Sequence, residues 1–354
     1  MLNQTPGVSP ETAIAEELIP LIRGFFAVPV VSAFGKLGVL DQILPGAPFT
    51  AADFPKITNK PFLSDGLRYL TRIGLLEPAG ENPEAWKTTE LGKQIFQRTS
   101  SFYVPHSYHE YMENYFRALG EPPEGQASKV DRLENIIGSG KTHQRYVFPA
   151  VSFLKRRVTF EGIVDIGCGD GQFLEAVLKN CPVKRAAGVD LSEVSVKTAR
   201  ENLGRKYPDL EIKAMACDAS DVSRWAREIL DFSPGGTWAI SMWFLLHEIS
   251  GSDPASVIGF LTRIHEFFPR APLVIGEIVR QEEALLAANR KESLMPEYLF
   301  FHELSRQGVL SWEEYRRILE CIPYQLHTER LFDVLTDAQG KQQPSSFLWC
   351  LVPK

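Results

Sequence analysis

The chain has 354 residues, of which 44% are hydrophobic and 23% charged, with a formal net charge of −6. That length sets an expectation of two domains, and that composition describes an ordinary globular protein. The acidic balance argues against a nucleic-acid surface, which needs clustered Lys and Arg, and the scattered cysteines Cys168, Cys181, Cys217, Cys321 and Cys350 contain no CxxC pair that would suggest a disulfide framework or a cysteine-zinc site.

The opening segment, MLNQTPGVSPETAIAEEL, lacks a basic start followed by an apolar core and does not read as a secretory signal. The most apolar stretch, GFFAVPVVSAFGKLGVL, is broken by Pro29 and Lys36 and reads as too short to span a bilayer. A soluble, cytoplasmic protein with no membrane partner is therefore expected. Up to residue 145 the pattern is helical: ETAIAEELIPLIRGFFAVPVVSAFGKLGVLDQIL carries apolar residues at mixed three and four spacing, the mark of helices buried on a broad face. A cap signal at Thr50, a loop, and a second amphipathic helix ending near Gly74 follow. Two short strands around a Gly-, Asn- and Pro-rich turn then lead to another helix. That order resembles a winged helix, yet its would-be recognition helix offers only Arg68 and Arg72 besides the entering Lys60. Self-association is the better expectation, with no nucleic-acid partner.

PHSYHE places His106, His109 and Glu110 at helix-like spacing in a predicted loop, where they are expected to cap or pack. GEPPEGQASK is a break within this half. From residue 146 to 354 the pattern changes to apolar runs separated by helical segments: GIVDIG, AAGVDLS, IKAMACD, TWAISMWFLLHE and PLVIGEIV. Strands alternating with helices predict a parallel sheet covered on both faces.

GIVDIGCGDGQFLEAVLKN reads as a buried strand, a glycine turn and a helix. Gly167, Gly169 and Gly171 are spaced GxGxG, not the GxGxxG of dinucleotide folds, and no Gly-Lys-Ser/Thr follows. Acids end three successive strands: Asp165, Asp190 and Asp218. The first is unwelcoming to phosphate, the second suits the two hydroxyls of a ribose, and the third could accept from an adenine amine. S-adenosylmethionine, with a cationic amino acid part, a ribose and an adenine, fits that set.

These motifs resemble the class I S-adenosylmethionine-dependent methyltransferases, and more narrowly the branch with an N-terminal winged-helix dimerisation domain, as in small-molecule O-methyltransferases. The resemblance spans nearly the whole chain. It implies an α/β, Rossmann-like seven-stranded sheet whose last strand, SSFLWCLVP, is antiparallel, and a homodimer whose N-terminal helices help close the partner's active site. It also implies that Asp165, Gly167 and Gly169 contact the methionine part, Asp190 and Leu191 the ribose, and Asp218 and Ala219 the adenine, with Met242 and Trp243 beside the cofactor.

SMWFLLHEIS runs an apolar strand straight into His247 and Glu248. In the O-methyltransferases of this branch a histidine just beyond the fourth strand deprotonates a hydroxyl, which makes His247 a general base. Here Glu248 stands where Asp is usual, and Ile249 where tryptophan often follows. Two further residues are expected to converge on His247: Glu277, ending PLVIGEIV, and His302 in PEYLFFHELSRQG. Two imidazoles and a carboxylate suit a divalent metal such as zinc, iron or cobalt, although Glu277 could instead orient His247.

That arrangement resembles the metal-dependent α-keto acid C-methyltransferases, whose paired histidines fall at His247 and His302. It implies a chelated keto acid, a metal-stabilised enolate and methylation at C3, with Glu248 accepting the proton or supporting a ligand. Methylation of a small-molecule hydroxyl is the alternative, and a cofactor-sensing regulator that kept the fold is a non-enzymatic one. The side chains of Tyr298 to Phe301, Tyr146 and Phe148 suggest apolar pocket walls, and Arg145 either a substrate-carboxylate partner or a surface residue. His143, His265 and His327 carry no signal.

Overall fold

A computed structural model describes residues 10–119, 130–131, 134–135, 138, 144–157, 159–289, 291, 293–304 and 307–354. The break Gly120–Lys129 and His143 lie outside the described residues. The chain divides into two compact units, Met1–Thr142 and His143–Lys354.

The first unit begins with the long helix α1 (Pro10–Lys36) and the short α2 (Val39–Ile43). Val31 and Phe34 of α1 join Leu40, Ile43, Leu67, Leu70 and Trp86 in a core. The outer half of α1 departs from the expected broad burial, since Leu21 is 74% and Phe25 76% exposed. Residues 17–36 are also long and apolar enough to cross a membrane by length and composition, despite Pro29. Helical continuity through the prolines, which the sequence pattern alone did not suggest, makes the difference.

Thr50 caps a single turn at 51–53 in a reciprocal capping box with Asp53, not the next long helix. That helix, α3 (Lys60–Arg72), starts at Asn59, whose side chain accepts from Phe62 N at 3.1 Å. Leu63, Leu67 and Leu70 bury its inner face, and a three-stranded antiparallel sheet, β1 (Phe49–Thr50), β3 (Ala85–Thr88) and β2 (Leu76–Pro78) in that order, lies in the same unit. Arg68 is engaged by Asp65 at 2.6 Å and Glu84 at 2.8 Å, so its charge is already neutralised. The short helices α4 (Glu90–Phe96), α5 (Ser100–Ser107) and α6 (His109–Ala118) follow. His106 and His109 therefore sit on helices, not in a loop; His106 Nδ1 lies 2.7 Å from buried Glu134, which Lys36 also reaches at 2.8 Å.

The second unit opens with α7 (Gln144–Arg157) and is built on seven strands. They are β4 (Gly162–Ile166), β5 (Arg185–Asp190), β6 (Glu211–Ala216), β7 (Trp238–Trp243), β8 (Leu273–Ile278), β9 (Tyr324–Thr336) and β10 (Gln342–Pro353). The order across the sheet is β6-β5-β4-β7-β8-β10-β9, parallel from β6 to β8, with β10 antiparallel to both neighbours. Near-continuous apolar strands such as GIVDI are buried on both faces, as a helix-covered parallel sheet requires. The helices α8 (Gln172–Asn180), α9 (Glu193–Lys206), α10 (Val222–Phe232) and α12 (Pro254–Phe267), with the short α11 (Leu246–Ser250) before the last, supply the crossovers. After β8 come α13 (Glu283–Asn289), α14 (Met295–Leu304) and α15 (Trp312–Cys321). The chain order reverses direction between β4 and β7, so the loops leaving these strands part and open a crevice at their carboxyl ends, where ligands bind in open α/β sheets.

Candidate active site

The glycine turn leaves β4 at that crevice. Gly167 and Gly169 adopt φ of 75° and 53°, conformations that a side chain would strain, and the turn leads into α8. Asp190, at the end of β5, holds the turn: its Oδ2 accepts from Gly169 N at 2.9 Å and its Oδ1 from Ser192 N at 2.8 Å. Each carboxylate oxygen keeps a second lone pair for a ligand hydroxyl. Beside it Leu191 presents an exposed apolar side chain.

Asp165 is 1% exposed, and among the described residues its carboxylate accepts from Ser241 Oγ at 2.6 Å. Asp165 and Ser241 are register partners on β4 and β7, which is why the one polar residue of the ISMWF run points at it. Burial pushes the Asp165 carboxyl up to about 7; the Ser241 bond opposes this and the Asp190 charge adds to it. A buried, underpaired acid of this kind fits a cationic group such as the ammonium of S-adenosylmethionine, whose arrival would restore the ionised form.

Asp218 lies exposed, two residues beyond β6, and its Oδ1 takes Ser220 N at 2.8 Å and Ser220 Oγ at 2.7 Å. Those bonds hold its pKa below the usual value and leave Oδ2 for another donor. Ala219 is fixed through its carbonyl, which accepts from Trp225 Nε1 at 2.9 Å. The expectation for Met242 needs correction. Side chains alternate along β7, and Met242 is wholly buried in the core beneath α10 and α12. Trp243 faces the other way, packing on Phe173 at 4.7 Å between ring centroids and tilted against Tyr146 at 6.4 Å.

Past β7 the chain turns at Phe244, which holds φ of 53°, an uncommon conformation for a bulky residue, while its N–H donates to Gly276 O at 2.8 Å. This turn starts α11 and carries His247 inward, to 4% exposure. His247 Nδ1–H donates to Glu277 Oε1 at 2.9 Å. Because a carboxylate only accepts, Nδ1 carries the proton and Nε2 keeps its lone pair. Burial opposes charge on His247, but the Glu277 carboxylate outweighs it through its charge and hydrogen bond, so the imidazole pKa stands above its ordinary value.

Glu277 was expected as a third metal ligand, and the structure places it behind His247 instead. Its Oε2 accepts from Leu246 N at 2.7 Å and His247 N at 3.3 Å, and its Oε1 from Ile278 N at 2.8 Å besides the imidazole. Glu277 is fully buried with both oxygens committed to these donors. Among the described residues no group of three or more His, Cys, Asp and Glu side chains is arranged to hold a metal ion. His302 does approach His247, edge to face, with ring centroids 4.6 Å apart. Its Nδ1 donates to Tyr298 O at 2.5 Å, and burial followed by the nearby charge of His247 depresses its pKa to about 4. Glu248 is exposed and accepts from Gln307 Nε2 at 2.8 Å, and its charge adds to the raising of the His247 pKa.

Other expected pocket residues are engaged elsewhere. Arg145 pairs with Asp333 at 2.6 Å and donates to Tyr146 Oη at 2.8 Å, so it is not a bare anchor for a substrate carboxylate. Tyr146 is buried and bonded to Ser346 at 2.7 Å, whereas Phe148 is 79% exposed. Ser346, Asp333 and Phe332, whose ring lies 4.3 Å from Tyr146, are partners of Tyr146 and Arg145 that sequence reasoning missed. They come from the long β9–β10 pair, over 180 residues from Tyr146 in the chain, and nothing local marks them.

A family described as "Methyltransferase domain" matches residues 163–264. No curated protein matches the chain in sequence. Solved structures match over nearly its full length. LaPhzM shares 18% identity over 96% of this chain and 99% of its own, with a TM-score of 0.63. The mitomycin 7-O-methyltransferase MmcR shares 16% identity over 97% and 99%, with a TM-score of 0.60. Human N-acetylserotonin methyltransferase in complex with S-adenosylmethionine shares 15% over 99% of each chain, with a TM-score of 0.59. At such identities the likeness is one of fold. Residues 163–264 match a methyltransferase domain, and the whole chain shares the fold of these methyltransferases, a seven-stranded α/β sheet preceded by a helical N-terminal unit.

Proposed function

We propose that this enzyme transfers a methyl group from S-adenosylmethionine to a hydroxyl oxygen of a small molecule, with His247 as general base. The observation that carries this reading is the His247–Glu277 dyad: a buried imidazole whose Nδ1–H is fixed by a buried carboxylate and whose Nε2 is left to accept a proton. Bound S-adenosylmethionine supplies the electrophilic methyl of a sulfonium. His247 Nε2 removes the acceptor's hydroxyl proton as the oxygen becomes nucleophilic, and Glu277 stabilises the resulting imidazolium. His302, with its pKa depressed to about 4, stays uncharged at neutral pH beside the imidazolium that forms. Asp165, Asp190, Leu191, Asp218 and Ala219 hold the donor, with Gly167 and Gly169 giving the backbone close approach. Likeness to structures such as the mitomycin 7-O-methyltransferase MmcR supports the choice of oxygen over carbon.

The facing imidazoles keep a second reading open: methylation of C3 of an α-keto acid, with His247 and His302 as ligands to zinc, iron or cobalt. Glu277 is no third donor there, so the protein would supply two ligands. The deciding experiment compares wild type and His302→Ala with phenols and with α-keto acids, before and after chelation. Turnover of a phenol that survives both chelation and His302→Ala upholds the oxygen reading. Keto acid turnover lost on either treatment, with no phenol consumed, overturns it.

We also propose a homodimer formed through α1, supported by the exposed Leu21, Ile22, Phe25 and Phe26 along that helix. A cytoplasmic protein with a small-molecule substrate and neither nucleic-acid nor membrane partner remains our reading, and the neutralised Arg68 supports the part concerning nucleic acid.

A further inference from the structure

His247 and His302 lie on separate helices, and their edge-to-face contact is too weak to set their spacing. Glu277 anchors His247 to β8, and His302 Nδ1 bonds to Tyr298 O of its own helix. A different connection spans the two. Beyond α14, Gln307 N–H donates to the carbonyl of His302 at 2.8 Å, and the next peptide, Gly308 N–H, donates to the carbonyl of His247 at 3.0 Å. The Gly308 carbonyl in turn accepts from Ser250 Oγ, a buried hydroxyl that also accepts from Ser252 N at 3.2 Å. Gln307 Nε2 adds its bond to Glu248, on the same short helix as His247.

The approach is tightest at Gly308. A Cβ there would lie 1.8 Å from Ser252 N, 2.6 Å from Ser252 Cα and 2.7 Å from the carbonyl carbon of Gly251. These are backbone atoms, which cannot swing aside as a side chain would. Gly251 and Ser252 both adopt left-handed conformations, φ of 49° and 72°, so the chain folds back after α11 where Gly308 docks. Two consecutive N–H groups, one hydroxyl and a missing side chain together tie the backbones of both histidines.

We propose that Gln307–Gly308 is the positioning element that sets the separation of the His247 and His302 imidazoles. The catalytic consequence rests on the base reading above; the geometric one does not. A displacement of about 1 Å at a reacting group lowers turnover by up to about 100-fold, so this tie bears on rate although neither residue reaches the acceptor.

The test uses full-length protein with carbon-13-labelled histidine rings, the cross-peaks assigned by single His→Gln variants. Wild type should show a nuclear Overhauser cross-peak between the two imidazoles. Gly308→Ala should lose it, lower kcat for the phenol identified above by about 10- to 100-fold, and leave S-adenosylmethionine affinity unchanged. If Gly308→Ala does not fold, Ser250→Ala decides: it removes one hydroxyl, should weaken the cross-peak and kcat together, and Ser250→Thr should restore both. A folded Gly308→Ala that keeps the wild-type cross-peak overturns the proposal, and so does a Ser250→Ala that keeps it where Gly308→Ala cannot be made. Loss of the cross-peak with unchanged turnover upholds the positioning and removes its consequence for rate.

Discussion

Replacing Glu277 with Gln keeps the size of a fully buried side chain and removes its charge. In the wild type the two carboxylate oxygens accept from three backbone N–H groups and from His247 Nδ1. In the variant one oxygen becomes an NH2 group that must face at least one of those donors. A charge-assisted hydrogen bond to the imidazolium contributes about 1.5–3 kcal/mol. If that stabilisation is realised as the proton reaches His247, kcat falls about 10- to 150-fold at roughly 1.4 kcal/mol per tenfold. The pH profile should move as well. His247 stands above its ordinary value of 6.5 because Glu277 outweighs burial; without the carboxylate, burial dominates and the imidazole drops below 6.5. The acidic limb of kcat/KM, set by the neutral base, should therefore shift to lower pH. Stability linked to this group should shift too: with a raised folded pKa it is fully present below 6.5 and lost as pH rises through the folded value, and Gln, by dropping that value below 6.5, reverses the sign of the dependence. Formation of S-adenosylhomocysteine is followed across pH, with calorimetry for cofactor affinity. A folded Glu277→Gln with kcat within twofold of wild type and an unmoved acidic limb would refute the dyad.

Asp165→Asn should raise the melting temperature of the cofactor-free protein at pH 8. The folded pKa of about 7 lies above the ordinary 3.8, so the wild type loses stability as pH rises through that window, by up to about 4 kcal/mol. The difference should shrink at pH 4, and thermal scans showing a pH-independent gap would contradict it. Asp190→Ala removes the acceptor of Gly169 N and Ser192 N together with the expected ribose partner, and should weaken S-adenosylmethionine binding by about 1.5–3 kcal/mol. Calorimetry on a folded variant with unchanged affinity would remove Asp190 from the site. Phe25→Glu combined with Leu21→Glu should convert a dimer into a monomer by light scattering, and a wild type already monomeric at micromolar concentration would count against the α1 interface.

The donor end of the site was legible because its parts are local. A buried strand, a glycine turn and a helix are contiguous from Gly162 to Asn180, and Asp190 and Asp218 each follow a strand that pairs in sequence order with its neighbour. Such features depend on backbone conformation and chain direction, which short-range patterns report. The roles of Met242 and Glu277 were not legible. Which face of β7 meets the core depends on the helices packed against it, and which donors surround Glu277 depends on a strand and a helix 30 residues apart.

His247, His302 and Glu277 could be placed together from the sequence because they lie on three consecutive segments, the helix after β7, the end of β8 and a helix that follows it. Whether Glu277 joins the two imidazoles or stands behind one of them turns on hydrogen bonds that no local pattern encodes. The three backbone N–H groups around it need an acceptor once buried, and they draw both oxygens to themselves. The exposure of α1 is similar: its composition announces an apolar helix, but only packing shows that one half enters the core and the other half does not. Local chemistry thus determined a glycine turn, acid-ended strands and a histidine just beyond β7, because those residues act through the turns and strands that carry them. Tertiary structure decided which atoms of His247 and Glu277 remain available, because burial forces every polar group there to choose a partner from residues distant in the chain.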